Sequence, residues 1–318
     1  MIVGSGRKPE SGGEWAVYGS NPVISPGAGE THTSFPCCFP DNGTYHAYYW
    51  YNISGVHHIG HATASSPLGP FTKDSANNPV LDTGTGWEAI GVNVPMAWKE
   101  DSTWYMIYRG EASTGALKVG LATASAPEGP FSKSGSNPVL VGTEAWEIDT
   151  NSYSSLDYTG IIKVGSTYYL YYNSVAVGQA RQIGYATSTN LTTWTKNPSN
   201  PTLSGGRFCA GVFTYGGYYY WLSPHYGSGT DYTYFELWRS PSPTMSNLEL
   251  WRIVKRCGVT GTWDAKDEDT PQIITTDIQR SVFPDNKLYA IYAGCNASDV
   301  WQSGIIYADD IAEAVRML

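Results

Sequence analysis

Four acidic side chains have the chemistry that a hydrolytic site would need: Asp157, Asp277, Glu88 and Glu147. Two carboxyl groups can divide such work, because one stays ionised to activate water while the other donates a proton to the leaving oxygen. The four acids are far apart in the sequence, so no local motif can bring them together. The elements that position them must therefore come from the fold as a whole.

A short phrase beginning with Asn-Pro recurs about every 60 residues, and an internal period of this kind predicts a repeat architecture. The four copies are Asn21-Pro22-Val23-Ile24, Asn78-Pro79-Val80-Leu81, Asn137-Pro138-Val139-Leu140 and Asn200-Pro201-Thr202-Leu203. Between the copies and after the last one, Asp/Asn/Gly turns introduce runs rich in tyrosine and tryptophan, a pattern typical of β-hairpins. Five such turns occur, beginning at Asp41, Asp101, Gly165, Gly216 and Asp285.

Each repeat has the pattern of four short strands. Four strands repeated five times predict an all-β fold, a five-bladed β-propeller with four-stranded antiparallel blades. We expect one domain over residues 1–318, with blades over residues 21–77, 78–136, 137–199, 200–256 and 257–318. Residues 10–20 are expected to close the ring as an outer strand of the last blade, which would protect exposed strand edges. For residues 309–318, a short helix and a competing edge strand are both open.

Charge and hydropathy limit the partners of the chain. The net charge is −9, the sequence pI is about 5.1 and no basic run is present, so we expect no nucleic-acid partner. No stretch of about 18 apolar residues exists, so we expect no membrane insertion. Residues 1–14 lack the apolar segment of a secretory signal. A cytoplasmic location, a virion-associated location and secretion after removal of a signal are all open.

Cysteine usage argues against a metal centre. The five cysteines are an odd number and include no Cys-x-x-Cys pair, so we expect buried free thiols, no metal site and no cofactor. A structural cation in the central channel is kept as an alternative.

Alignment of the repeats on their aromatic strands predicts which residues face the channel. The count starts at the first residue of each aromatic strand: Tyr45, Trp104, Tyr168, Tyr218 and Leu288. The residue eleven positions earlier is polar in every repeat, namely Ser34, Asn93, Asp157, Arg207 and Asp277. Side chains alternate along a strand, so His32 shares a face with Ser34. A core face would carry apolar residues at these positions. The polar residues found instead predict a solvent-filled central channel with a function. The alternatives are a capping role for Asp157 and Asp277, charge neutralisation for Arg207 and a structural role for His32.

A second group of candidates lies in equivalent loops. Glu88 follows Trp87, Glu147 follows Trp146, and another acid follows Trp263. The acids could take part in catalysis, and the tryptophans could contact a ligand. A residue that is repeated in several units is also a candidate for scaffolding, so packing of these tryptophans between units is the alternative.

The blade phrases resemble a known group of enzymes. Residues 59–71 read IGHATASSPLGPF and run on to Asn78-Pro79, and the same phrase returns over residues 119–140. Together with Trp87-Glu88-Ala89-Ile90-Gly91-Val92, they resemble five-bladed glycoside hydrolases, especially family 43 and the related families 32 and 130. The resemblance spans all five repeats. It implies acidic residues at the channel mouth, at the starts of innermost strands of different blades, that act on an oligosaccharide or polysaccharide.

Two hypotheses follow from this resemblance. The first is an inverting glycoside hydrolase that uses acid and base carboxylates at the mouth of the channel. Several of the enzymes it resembles carry an acid directly before a proline, whereas here Phe35 precedes Pro36 and Val94 precedes Pro95. This departure favours the second hypothesis, a non-catalytic glycan-binding propeller, such as an attachment or decoration protein on a virus or cell surface that assembles into a larger particle. A purely structural propeller is a third alternative.

Overall fold

The computed structural model describes residues 15–149, 153–174, 181–205, 211–226, 232–256, 264 and 267–316, and its regular structure is almost entirely β. A short strand, β1 (Ala16–Val17), precedes five groups of strands, named here repeats 1 to 5. Repeat 1 holds β2 (Thr33–Asp41), β3 (Thr44–Ile53), β4 (Val56–Ala64) and β5 (Thr72–Lys73). Repeat 2 holds β6 (Gly91–Glu100), β7 (Thr103–Glu111), β8 (Leu117–Ala124) and β9 (Ser132–Lys133).

The remaining strands follow in the same order. Repeat 3 holds β10 (Leu156–Val164), β11 (Thr167–Ser174), β12 (Gln182–Ser188) and β13 (Thr195–Lys196). Repeat 4 holds β14 (Gly211–Tyr215), β15 (Tyr218–Tyr226), β16 (Tyr232–Ser240) and β17 (Glu249–Arg256). Repeat 5 holds β18 (Asp267–Ile273), β19 (Leu288–Cys295) and β20 (Trp301–Ala308).

Consecutive strands of each repeat pair antiparallel; repeats 3, 4 and 5 form separate sheets, and repeats 1 and 2 belong to one eight-stranded sheet. β1 is the outer neighbour of β20, with Ala16 opposite Tyr307. Repeats 1 and 2 share one parallel pair, His57 with Gly91. The tail forms a short helix, α1 (Ile311–Ala314), rather than an edge strand. Within the described ranges, no helix is long and apolar enough to cross a membrane.

The sheets bury both faces. In β11, Tyr172 packs into one hydrophobic cluster and its neighbour Tyr171 packs into another. In β10, Ile161 and Ile162 divide between the same two clusters. Successive side chains of a strand point to opposite faces, so each of these sheets lies between two packed layers. This explains why the strands are aromatic and aliphatic without the polar alternation of a half-exposed sheet.

The recurring asparagine fixes the loop that follows each sheet. The Asn137 amide accepts a hydrogen bond from the Leu121 N–H at 2.8 Å and donates to the Leu121 carbonyl oxygen at 3.0 Å. It also donates to the Tyr108 hydroxyl at 2.9 Å. Asn78 and Asn200 make the same three contacts in their own repeats. The period seen in the sequence is therefore a repeated side-chain clamp on the third strand.

One residue joins the first strands of the repeats. The buried Arg280, in the connection between β18 and β19, donates from Nε to the Ile161 carbonyl oxygen on β10 and from Nη2 to Met96 Sδ on β6. The Arg280 carbonyl oxygen accepts from the Thr214 N–H on β14. Cys37 on β2 is close enough to act on its charge. The first strands therefore converge on this side chain.

We predict that Asn137→Ala lowers the free energy of unfolding by about 1.5–3 kcal/mol, because three hydrogen bonds are lost and the Leu121 N–H is left unpaired, while the Leu121 carbonyl oxygen keeps its bond from the Ser134 N–H. Urea denaturation measures the change. Ser136→Ala, at the exposed neighbouring position, is the control and should shift stability by less than about 0.5 kcal/mol. Equal stability of the two variants would contradict the clamp.

Candidate functional site

Asp157 lies at the start of β10 and is 5% exposed. A bulge between Leu156 and Thr159 places two residues of β10 opposite one residue of β11, which re-aims the side chains at this point. Arg109 from repeat 2 donates to one carboxylate oxygen of Asp157, and Arg181 donates to the other. The carboxylate is thus held between two guanidinium groups.

The two arginines decide the protonation state of Asp157. Burial alone would raise the pKa of this carboxyl, but the Arg109 and Arg181 charges and their hydrogen bonds together lower the pKa below its ordinary value of 3.8. Asp157 is therefore ionised at neutral pH. An ionised carboxylate can accept a proton or bind a hydroxyl, but it cannot act as the proton donor of an acid–base pair.

A polar chain runs from Arg109 into repeat 1. Arg109 Nε donates to Asn93 Oδ1 at 2.6 Å, and the Asn93 amide lies 3.2 Å from His57 Nδ1. The same His57 nitrogen is 3.4 Å from Glu111 Oε2. The hydrogen bond from His57 lowers the pKa of Glu111, and Arg109 adds to this effect against the opposing effect of burial. Both carboxylates of this network are thus ionised at neutral pH.

Two buried polar side chains beside this network have no hydrogen-bond partner in the described part of the chain. Asn173, opposite the Asp157 bulge, is fully buried, and neither its amide nitrogen nor its amide oxygen is paired. Ser34 is also fully buried with an unpaired hydroxyl. Buried polar groups are normally satisfied by protein, water or ligand. These groups are therefore available for the hydroxyls of a bound molecule.

The strand register assigns equivalent positions to residues from different repeats. The fourth residue of each aromatic stretch on the second strand has a partner on the first strand. These partners are Cys37, Met96, Gly160 and Gln272 in repeats 1, 2, 3 and 5. The residues three positions earlier are then equivalent, and they are Ser34, Asn93, Asp157 and Asp269. Ser34, Asn93 and Asp157 of the predicted set therefore hold equivalent register positions, and their facing a channel stays a prediction. In repeat 5 the residue at the equivalent position is Asp269, not the predicted Asp277.

Asp277 does not occupy a strand start. It follows the end of β18, where its carboxylate accepts hydrogen bonds from the Ser281 and Val282 N–H groups and from the Ser281 hydroxyl. The neighbouring Ile278 carbonyl oxygen binds the Lys163 N–H, near the end of β10 that lies away from Asp157. The eleven-residue step misplaced Asp277 because the β18–β19 connection, residues 274–287, is much longer than the two-residue hairpins of repeats 1 to 4. The sequence alternative, a capping role, matches this geometry.

Glu88 and Glu147 lie in one repeated arrangement. Tyr108 Oη donates to Glu88 Oε2 at 3.0 Å and Lys133 Nζ donates to Glu88 Oε1 at 2.7 Å. Glu147, which is fully buried, binds the Tyr172 hydroxyl at 2.7 Å and the Lys196 ammonium group. Both oxygens of each carboxylate are therefore occupied by residues of the same repeat. This geometry favours the scaffolding alternative for both acids.

The tryptophans that precede Glu88 and Glu147 pack against tyrosines of their own repeats. Trp87 stacks on Tyr108 with ring centroids 5.9 Å apart, and Trp146 stacks on Tyr172 at 5.6 Å. A Cβ added at Gly110 would lie 2.2 Å from the Trp87 ring, so the missing side chain is needed for this contact. Trp263 and Arg207, two further predicted ligand-binding residues, lie outside the described residues.

Aromatic rings form one side of the same region. Phe35 lies 5.6 Å from Trp50 and 6.4 Å from Trp301 between ring centroids, and the predicted ligand-binding residue His32 is 5.8 Å from Trp50. The Trp50 indole nitrogen and His32 Nδ1 are buried without a partner within the described ranges. Phe35 has a φ of 48°, which is strained for a residue with a side chain.

Sequence reasoning missed Arg109, Arg181, Asn173 and His57, and it did not single out Asp269 from the neighbouring acids. Trp50 and Arg109 lie opposite Ser34 and Asn93, and Asn173 lies opposite the Asp157 bulge, so the second strand had to be compared as well as the first. For Asp269 a signal existed. Pro271 follows it by two residues, as Pro36 follows Ser34 and Pro95 follows Asn93.

The residues whose side chains are described include no group of three or more His, Cys, Asp or Glu that could hold a metal ion. Cys37 and Cys38 are buried free thiols, and Cys295 is likewise a buried thiol. Cys209 and Cys257 lie outside the described residues.

Solved structures resemble this protein in fold over nearly its whole length. The α-L-arabinofuranosidase PaAbf62A from Podospora anserina, in complex with cellotriose, has a TM-score of 0.69 at 15% identity, covering 92% of this protein and 96% of the other. The catalytic domain of a GH62 α-L-arabinofuranosidase from Coprinopsis cinerea has a TM-score of 0.67 at 15% identity, covering 93% and 97%. Zg3597, a family 117 glycoside hydrolase of Zobellia galactanivorans, has a TM-score of 0.66 at 14% identity, covering 94% and 90%.

These likenesses establish the fold, which is that of propeller glycoside hydrolases. The resemblance to that group of folds, inferred from the blade phrases, is confirmed at this level. The particular likeness to families 43, 32 and 130 stays a prediction. No protein-family model matches the chain, and no curated protein matches it.

We predict that Asp157→Asn lowers the free energy of unfolding at neutral pH by about 2–4 kcal/mol, because two guanidinium groups lose their counter-charge. The wild-type carboxyl has a lowered pKa in the folded state, so its stabilising effect is present above its ordinary pKa and disappears as the pH falls through the folded value. Urea denaturation of both proteins from pH 7 down to about pH 2.5 measures this difference. A difference that does not shrink with acidification would contradict the ion-pair assignment.

Proposed function

We propose that this protein is a carbohydrate-active, five-bladed β-propeller whose ring is closed by β1, and that it acts on an oligosaccharide or polysaccharide at the channel mouth. Repeats 1 to 5 would be the blades. The contacts of Arg280 with the first strands support a common axis. The pairing of β1 with β20 supports closure. The strand starts that carry Ser34, Asn93 and Asp157 would then surround one opening.

The observation that carries this proposal is the ionised, buried Asp157 beside the unpaired amide of Asn173. A sugar offers several hydroxyls, each of which can both donate and accept. The Asp157 carboxylate can accept from a hydroxyl, and the Asn173 amide can donate and accept. The rings of Phe35 and Trp301 would add an apolar surface for a sugar face.

For the reaction we propose inverting glycoside hydrolysis with Asp157 as the base that activates water. The proton donor must be a second carboxyl group about 6.5–9.5 Å away. Glu88, Glu147 and Asp277 are the acids first predicted for such roles, and their contacts favour scaffolding instead. The register favours Asp269, at the start of another first strand, as the donor.

A second candidate function is non-catalytic glycan binding, for example as an attachment or decoration protein that assembles into a larger particle. Phe35 and Val94 stand before Pro36 and Pro95 where several related enzymes carry acids. The arginine clamp on Asp157 also lowers the basicity of its carboxylate, which weakens it as a general base. Both features favour binding without turnover.

We predict that Asp157→Asn lowers kcat by about 10²–10⁴-fold on the active substrate of a panel of arabinosides, xylosides and mannan-type oligosaccharides. Near-ultraviolet circular dichroism checks that the variant is folded. Asp101→Asn, in an exposed hairpin turn of repeat 2, is the matched control and should keep full activity. A wild-type protein that is inert on the whole panel but is retained on a glycan array would support the binding function instead.

We further predict that Asn173→Ala raises KM, or the Kd for a glycan in the binding case, by about tenfold or more, because a buried amide that contacts the sugar is lost. Isothermal titration calorimetry measures the binding case. Asn77→Ala, an exposed amide in repeat 1, serves as the control. Unchanged affinity in the Asn173 variant would show that the ligand does not bind beside Asp157.

A further inference from the structure

The Arg280 guanidinium is a buried positive charge whose direct hydrogen-bond partners are all neutral groups. The residue is 3% exposed. Its nitrogen atoms contact the Ile161 carbonyl oxygen at 3.3 Å, the Thr275 hydroxyl at 3.2 Å and Met96 Sδ at 3.2 Å. Burial lowers the pKa of Arg280 to about 10, so the group remains protonated at neutral pH.

These contacts leave part of the guanidinium unsatisfied. A guanidinium group has five N–H donors, and the three contacts of Arg280 use three of them. The three contacts are all with neutral atoms, and the charge of the Asp277 carboxylate acts on Arg280 without a direct hydrogen bond. The nearest acid in sequence, Asp277, is engaged with Ser281 and Val282. A buried charge without a counter-charge is costly, and proteins normally pair it.

A second polar group lies at the same level of the fold. Gln272 on β18 holds the register position that Met96 holds on β6, and Met96 contacts Arg280 directly. Gln272 is 6% exposed, so its amide is buried with the rest of the residue. A buried amide and an under-coordinated guanidinium therefore occur in the layer where the first strands converge.

We propose that a small monovalent anion of halide size binds at Arg280, with the Gln272 amide as an additional donor, and neutralises the charge where the repeats meet. One unpaired guanidinium requires one negative charge, which favours a monovalent ion. The burial of both side chains excludes larger anions such as gluconate. The same positive charge disfavours a structural cation at this level, which is the alternative left open by the sequence. This site is separate from the Asp157 region and does not depend on the proposed sugar chemistry.

Thermal unfolding in halide-free buffer tests this proposal. Chloride or bromide replaces gluconate at constant ionic strength, up to about 100 mM. We expect a saturable rise in Tm of about 5 °C, because an ion that binds only the folded state stabilises it by mass action. Arg280→Met should abolish the halide dependence and Gln272→Leu should weaken it. Arg316→Gln, at an exposed arginine, is the control and should respond as the wild type does.

A crystal grown in bromide provides a measurement that does not require any variant to fold. Anomalous density in contact with the Arg280 guanidinium would support the site. Equal Tm values in gluconate, chloride and bromide would overturn the proposal. A halide dependence that survives Arg280→Met, or anomalous density at surface positions alone, would overturn it as well.

Discussion

The burial of sheets on both faces is the constraint on which the rest of this structure depends. A sheet that buries both faces needs apolar side chains at nearly every position, and β10 and β11 divide theirs between two hydrophobic clusters. In such sheets, the ends of the first strands are places where polar side chains can lie beside the apolar layers. Asp157 lies at one of these ends, directly after the buried Leu156. The location of the candidate site is thus a consequence of how the core is built.

The structure separates repeated acids from unrepeated ones. Glu88 and Glu147 occur in equivalent loops and make equivalent contacts with a tyrosine and a lysine, so their burial is compensated within each repeat. The position of Asp157 differs from repeat to repeat, being serine in repeat 1 and asparagine in repeat 2. Contacts that stabilise the repeated fold are expected in every repeat. A binding site, in contrast, needs different side chains on its different sides. The variable position is therefore the stronger functional candidate.

Electrostatics sets the balance between catalysis and binding. Two arginines keep Asp157 ionised in a buried setting, where a lone carboxyl would otherwise be protonated. This preserves a strong hydrogen-bond acceptor for a sugar hydroxyl. It also lowers the basicity that a general base uses. A ligand that changes the contacts of Arg109 or Arg181 would change this balance directly, since both arginines lie partly exposed beside the carboxylate.

The sequence by itself determined the repeat, the β-class and the resemblance to propeller hydrolases, because the Asn-Pro phrase and the aromatic hairpins are local patterns that each repeat carries whole. It also gave equivalent positions to Ser34, Asn93 and Asp157, since repeats 1 to 3 have hairpins of equal length. Only the tertiary structure could decide the partners of these residues. Arg109 and Arg181 meet Asp157 from other strands, and the long β18–β19 connection moves Asp277 away and leaves Asp269 at the strand start. Contacts between repeats depend on register and loop length, and neither is encoded in a single local phrase.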